Sequence, residues 1–148
     1  VNIITKTADQ TIELGCKIGA HLKGGECIEL ISDIGGGKTT FVRGLAEGAH
    51  SKHHVSSPTF TISKVYKTPK FEIVHFDFYR LQEAGLIENE IEEAVYDQSS
   101  VLVVEWSDIV QHVLPAERLV VRITGLSPEK RRIELEAPES LSYLLEDI

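Results

Sequence analysis

Cysteine occurs only twice, at Cys16 and Cys27, and never as a CxxC pair. That argues against a disulfide framework or a thiolate zinc site and predicts two buried, reduced thiols in a cytosolic protein. No apolar run approaches the roughly 18 residues that a membrane helix needs. No signal-peptide pattern opens the chain. The expected compartment is therefore the cytoplasm, without a membrane partner. Positive charge is also scarce: 15 basic side chains face 23 acidic ones, for a net charge of −8. Such a surface repels phosphate backbones, which disfavours stable non-specific nucleic-acid binding. Methionine is absent, which carries no functional weight. The N-K-x-D motif of GTPases is missing, and no lysine or arginine stands between Arg80 and Arg118.

What remains is the profile of a globular protein. The 148 residues, 42% apolar and 26% charged, suit one domain spanning 1–148. Asn2 to Thr5 is a β-prone run. Thr7-x-x-Gln10 is a capping box, and Leu14, Ile18 and Leu22 follow at helical spacing until Gly24-Gly25. Cys27 to Ile31 reads as a buried strand. Phe41, Val42, Leu45, Ala46 and Ala49 form one apolar helical face. Phe60–Tyr66 and Phe71–Tyr79 alternate with period two across a four-residue break, which predicts an antiparallel hairpin. Glu88 to Asp97 reads as an acidic helix and Val101 to Glu105 as a central parallel strand. Leu119–Thr124 and Arg132–Glu136 read as late strands, and Ser140–Leu145 as a short terminal helix.

Between the Cys27 strand and the Phe41 helix lies SDIGGGKTT, Ser32 to Thr40. It follows the phosphate-loop pattern G-x-x-x-x-G-K-[ST], with Ser32 in place of the first glycine. Glycines allow positive φ and close backbone approach, so successive N–H groups converge on phosphate oxygens. The helix starting near Thr39 adds its free N–H groups and dipole. Lys38 is suited to the terminal phosphates and the Thr39 hydroxyl to magnesium. Ser32 must take the first-glycine conformation at some strain or shift the loop.

Magnesium needs a further oxygen donor. Glu105 ends VLVVE, and no other acid in the chain follows four aliphatics. Asp77, in HFDFYR, shares a face with His75 and Tyr79 and is suited to orient an attacking water or a metal-bound one. Pairing with Arg80 is the structural alternative. His75 reads as a hydrogen-bonded sheet histidine, and His53-His54 as an exposed loop pair. SSPTFT, Ser56 to Thr61, reads as a phosphate-sensing segment or an ordinary turn. Trp106 fits the nucleotide side, the core or a partner surface.

DIGGGKTTFVRGL, SSPTFT, HFDFYRL and VLVVEW, in this order and spacing, resemble the TsaE (YjeE) family, small bacterial P-loop ATPases required for threonylcarbamoyladenosine modification of tRNA. The likeness runs from about Thr7 to the late strands. It implies an α/β P-loop NTPase fold, a three-layer sandwich whose mixed, mostly parallel sheet contains an antiparallel hairpin. It implies ATP as nucleotide, with Mg2+ held by Thr39 and Glu105. The nucleotide-binding set becomes Thr11 near the adenine, Asp33, Gly35, Gly36, Gly37, Lys38, Thr39, Thr40 and Trp106. Asp77 and Lys38 are the catalytic pair. TsaD-like and TsaB-like proteins are the implied partners, with ATP hydrolysis supporting repeated turnover rather than performing the tRNA chemistry.

Two other classes compete. A small-molecule or nucleotide kinase needs added cations over the transferring phosphoryl group. The acidic stretch between Arg80 and Arg118 supplies none. A nucleotide-dependent binding module with negligible turnover would use the same residues as an ATPase.

Overall fold

The computed structural model describes residues 1–33, 37–55, 63–78, 85 and 87–148. The β-prone opening forms β1 (Asn2–Thr5). Thr7 then caps α1 (Ala8–Gly19): its Oγ1 accepts from the Gln10 N–H at 3.2 Å. Gln10 Oε1 accepts in return from the N–H of Lys6 at 2.7 Å, one residue before the cap. The helix ends earlier than Gly24-Gly25 predicts. Gly19 has low helix propensity, and the chain beyond it tightens into i→i+3 bonds, from His21 N–H to the Ile18 carbonyl and from Leu22 N–H to that of Gly19. Leu22 is still buried.

Six further strands follow: β2 (Cys27–Ser32), β3 (Ser63–Lys67), β4 (Glu72–Asp77), β5 (Ser100–Glu105), β6 (Leu119–Gly125) and β7 (Arg131–Glu136). Among the described residues they form one seven-stranded sheet in the order β1-β7-β6-β2-β5-β4-β3. β6, β2, β5 and β4 pair in parallel. The predicted hairpin is β3–β4, antiparallel, and β7 lies antiparallel between β6 and β1. Residues 60–62 and 79 of the expected hairpin runs lie outside the described residues. β5 is buried at every position, as its continuous apolar run requires.

The sheet has two cores. On one face α1 and α2 (Lys38–Gly48) bury Ile18, Phe41 and Leu45 against Leu30, Ile73 and Val103, joined by the C-terminal 3-10 helix Glu139–Leu145. On the other, α3 (Ile87–Tyr96) and the 3-10 helix Ser107–Val110 cover Cys27, Phe76 and Val104. This is the expected three-layer arrangement. Burial pushes the Cys27 thiol up to about 12, so it stays protonated. Cys16 departs from the expected burial: it is half-buried, with its Sγ 3.7 Å from Glu47 Oε2.

α1 and α2 touch backbone to backbone. A Cβ on Gly44 would lie 2.3 Å from the Ile12 carbonyl oxygen, and one on Gly15 would lie 2.6 Å from that of Phe41. Gly19 and Gly48 repeat the contact one turn on. Two i, i+4 glycine pairs thus remove the side-chain layer that usually separates helices. Gly44→Ala is expected to destabilise the fold by about 1–3 kcal/mol through overpacking. Urea unfolding checks this; an unchanged midpoint would mean that the helices do not approach so closely.

Candidate functional site

Parallel strands carry their ligand chemistry at their carboxyl ends, and three such ends converge here. β2 leads into the glycine loop. Ser32 does not strain to replace the first glycine. It is the last residue of β2, paired with Ile123, and its φ is not positive. Its hydroxyl donates to the Asp33 carbonyl at 3.2 Å. Asp33 is exposed. Gly35 and Gly36 lie outside the described residues. Gly37 takes φ +100°, where only glycine is unstrained, and stands as the N-cap of α2 without a side-chain cap. The first amides of α2, those of Lys38, Thr39 and Thr40, therefore have no intrahelical acceptor. Thr39 and Thr40 are half-buried in that first turn.

Lys38 folds back over the loop entrance. Its Nζ donates to the carbonyls of Ser32 at 3.2 Å and Asp33 at 3.3 Å. Glu105 Oε1 lies 4.0 Å from it, and the Trp106 ring centroid 5.0 Å. Trp106 takes φ +54°, a left-handed conformation that is uncommon for a bulky residue and costs about 1–3 kcal/mol. The indole is half-buried and also packs against the α3-side core.

Register aligns the acids. Asp77, the last residue of β4, pairs with Glu105, the last residue of β5, and Glu105 also pairs with Leu30 of β2. Asp77 and Glu105 thus share the α2 face. Asp77 is half-buried and Glu105 fully so. Arg80, the alternative partner of Asp77, lies outside the described residues, as does the SSPTFT segment. His75 is the expected sheet histidine: it has no exposed surface, and its Nε2 lies 2.5 Å from Glu105 Oε2. Thr11 is buried, and its hydroxyl meets that of Thr5 at 2.7 Å, joining the start of α1 to the end of β1. His53 and His54 are exposed, as expected.

Three features escaped the sequence reading. The histidine's partner is a carboxylate thirty residues away, which only strand pairing reveals. Arg131 stands beside the loop: a Cβ on Gly37 would meet its Nε at 3.3 Å, and its guanidinium donates to the carbonyls of Ser127, Pro128 and Lys130. On the opposite face Glu29, buried within β2, accepts from Ser107 and Gln111 and, at 3.1 Å, from Arg118 Nε. The i, i+2 polar interruption at Glu29 in CIELI was the one available signal.

Carboxylates thus end two successive parallel strands, β5 beside β2 and β4 beyond it, the plan of an α/β protein whose site lies at the carboxyl ends of its strands. Comparison with known proteins is more specific. The profile of the threonylcarbamoyl adenosine biosynthesis protein TsaE matches residues 5–133, and the chain belongs to this family. The tRNA threonylcarbamoyladenosine biosynthesis protein TsaE of Bacillus subtilis is 34% identical over 137 residues, covering 90% of this chain and 83% of that protein. Its namesake from Streptomyces coelicolor is 40% identical over 116 residues, covering 75% and 76%. The crystal structure of Bacillus subtilis YdiB superposes with a TM-score of 0.79 at 30% identity, covering 99% of this chain and 92% of that one. Among the described residues no helix is long and apolar enough to cross a membrane.

Burial raises the Glu29 carboxyl, but the hydrogen bonds from Ser107, Gln111 and Arg118 outweigh it and hold the group below its ordinary 4.5. A carboxyl lowered in the folded state adds stability above its unfolded value, and that stability fades as pH falls through the folded value. The stability gap between wild type and Glu29→Gln is therefore expected to be widest at neutral pH and to narrow below pH 4.5. Denaturant titrations at several pH values measure it.

Proposed function

We propose that this chain is a magnesium-dependent ATPase that supports threonylcarbamoyladenosine modification of tRNA at adenosine 37, acting with TsaD-like and TsaB-like proteins. One observation carries the reading: the Lys38 ammonium at the loop entrance, 4.0 Å from a buried carboxylate that ends the adjacent parallel strand. Family membership supports the pathway.

In this reading Asp33, Gly35, Gly36 and Gly37 shape the loop, and the first-turn amides of α2, with Thr40, receive phosphate oxygens. Lys38 turns from the Ser32 and Asp33 carbonyls to the terminal phosphates. The donors fit magnesium, because both the Thr39 hydroxyl and the Glu105 carboxylate are hard oxygens. Among the described residues no group of three or more His, Cys, Asp or Glu forms a metal cage. A cation shared with phosphates needs none. When bound, magnesium supplies charge neutralisation on the β- and γ-phosphate oxygens. Asp77, beside Glu105, accepts a hydrogen bond from the attacking water and orients it in line with the γ-phosphate. Trp106 covers Lys38 and limits water around it. Thr11, bonded to Thr5, forms the adenine side of the pocket. Water is the acceptor rather than a kinase substrate, since the acidic stretch before Arg118 brings no cation for a lid.

Lys38→Ala is expected to weaken ATP binding roughly 10–100-fold, the worth of charged hydrogen bonds. Calorimetric titration measures it; unchanged affinity would remove the phosphate site. Asp77→Ala is expected to slow ATP hydrolysis, followed as ADP formed, more than it weakens binding; normal turnover would refute the role. ADP release that rises when the two partner proteins are added supports a regulated ATPase. Phosphate transfer to a small acceptor would reinstate the kinase.

A further inference from the structure

We infer that His75 is a positioning residue for the metal-binding carboxylate of Glu105, an inference that rests on the reading just given. A carboxylate has two oxygens, and a lone glutamate side chain can swing both. Here His75 Nε2 holds Oε2 at 2.5 Å, which leaves Oε1 on the Lys38 side. Both partners are buried, so water does not compete for the bond. Tyr66, on β3, stands behind the imidazole with its hydroxyl 3.5 Å from Nδ1. An ionised carboxylate only accepts, so the bond to Glu105 is donated by Nε2–H, and Nδ1 is the ring atom that faces the phenol. The line Tyr66–His75–Glu105 runs across three adjacent strands, β3, β4 and β5, so sheet pairing fixes its spacing. Because His75 and Asp77 alternate on one strand face, β4 delivers both the clamp on Glu105 and the carboxylate beside it.

A purely structural histidine would affect stability alone. A positioning histidine affects the cation requirement. The test titrates MgCl2 into the full chain saturated with a non-hydrolysable ATP analogue and follows the fluorescence of Trp106, the sole tryptophan. Wild type, His75→Leu, His75→Gln and His75→Asn are compared, each with its thermal unfolding. His75→Leu is expected to raise the half-saturating Mg2+ concentration about 10–100-fold, with analogue affinity in the absence of Mg2+ held within about twofold. His75→Gln carries an amide N–H where Nε2 stood and is expected to recover most of the loss. His75→Asn reaches only the Nδ1 position and is expected to behave like His75→Leu, which covers the case in which the leucine variant does not fold. Wild-type Mg2+ midpoints in the Leu or Asn variant, or a Gln variant no better than Asn, would overturn the assignment. So would metal-free binding that falls in step with the metal-dependent part. A wild-type protein that binds the analogue without any response to Mg2+ would instead overturn the metal site itself, and the positioning role with it.

Discussion

A carboxylate sealed at the end of a central strand is the constraint around which the rest is arranged. Removing such a charge from water costs several kcal/mol unless good partners answer it. Glu105 is answered on one oxygen by His75 from the next strand and faces Lys38 with the other. Neither partner is local in sequence. The first needs β4 and β5 in parallel register, and the second needs α2 to begin beside the carboxyl end of β2. The acid therefore ties the register of the sheet and the start of α2 to one point.

The opposite face holds a second buried glutamate, and the two act on one residue. Glu29 pairs with Val104 in the β2–β5 ladder, one step from Glu105. It binds Ser107 and Gln111, while His75 binds Glu105. Trp106 is thus gripped by its neighbours on both sides, one from each core. This explains how a bulky residue persists at φ +54°. The grip keeps the indole next to the Lys38 ammonium, where its π face meets the charge.

The sequence was most legible where periodicity was strong. Continuous burial marked β5, alternation marked β3–β4, and the Thr7–Gln10 cap marked α1. Lys38, Asp77 and Glu105 were readable as candidates because each stands at a recognisable strand or helix end. Other features depend on tertiary pairing, which spacing along the chain does not encode. Nothing near His75 in sequence announces Glu105, and nothing near Gly37 announces Arg131. Of the two readings of Ser32, strain or a shifted loop, the structure removes the strain: the strand continues through it, so no left-handed turn is demanded there. The end of α1 was misjudged because an earlier glycine, Gly19, precedes the pair that looked like the stop.

The glycine seam between α1 and α2 has a mechanical consequence. Helices separated by side chains can slide, because rotamers give way. Helices in main-chain contact have no such lubricant, so this pair is fitted as a single plank. One end of this plank is the turn that begins at Lys38, after the central strand β2; the other helix begins beside the Thr5–Thr11 hydroxyl pair, at the end of the edge strand β1. The start of α2 and the tip of β1 are therefore joined through two helices in main-chain contact and one hydroxyl pair.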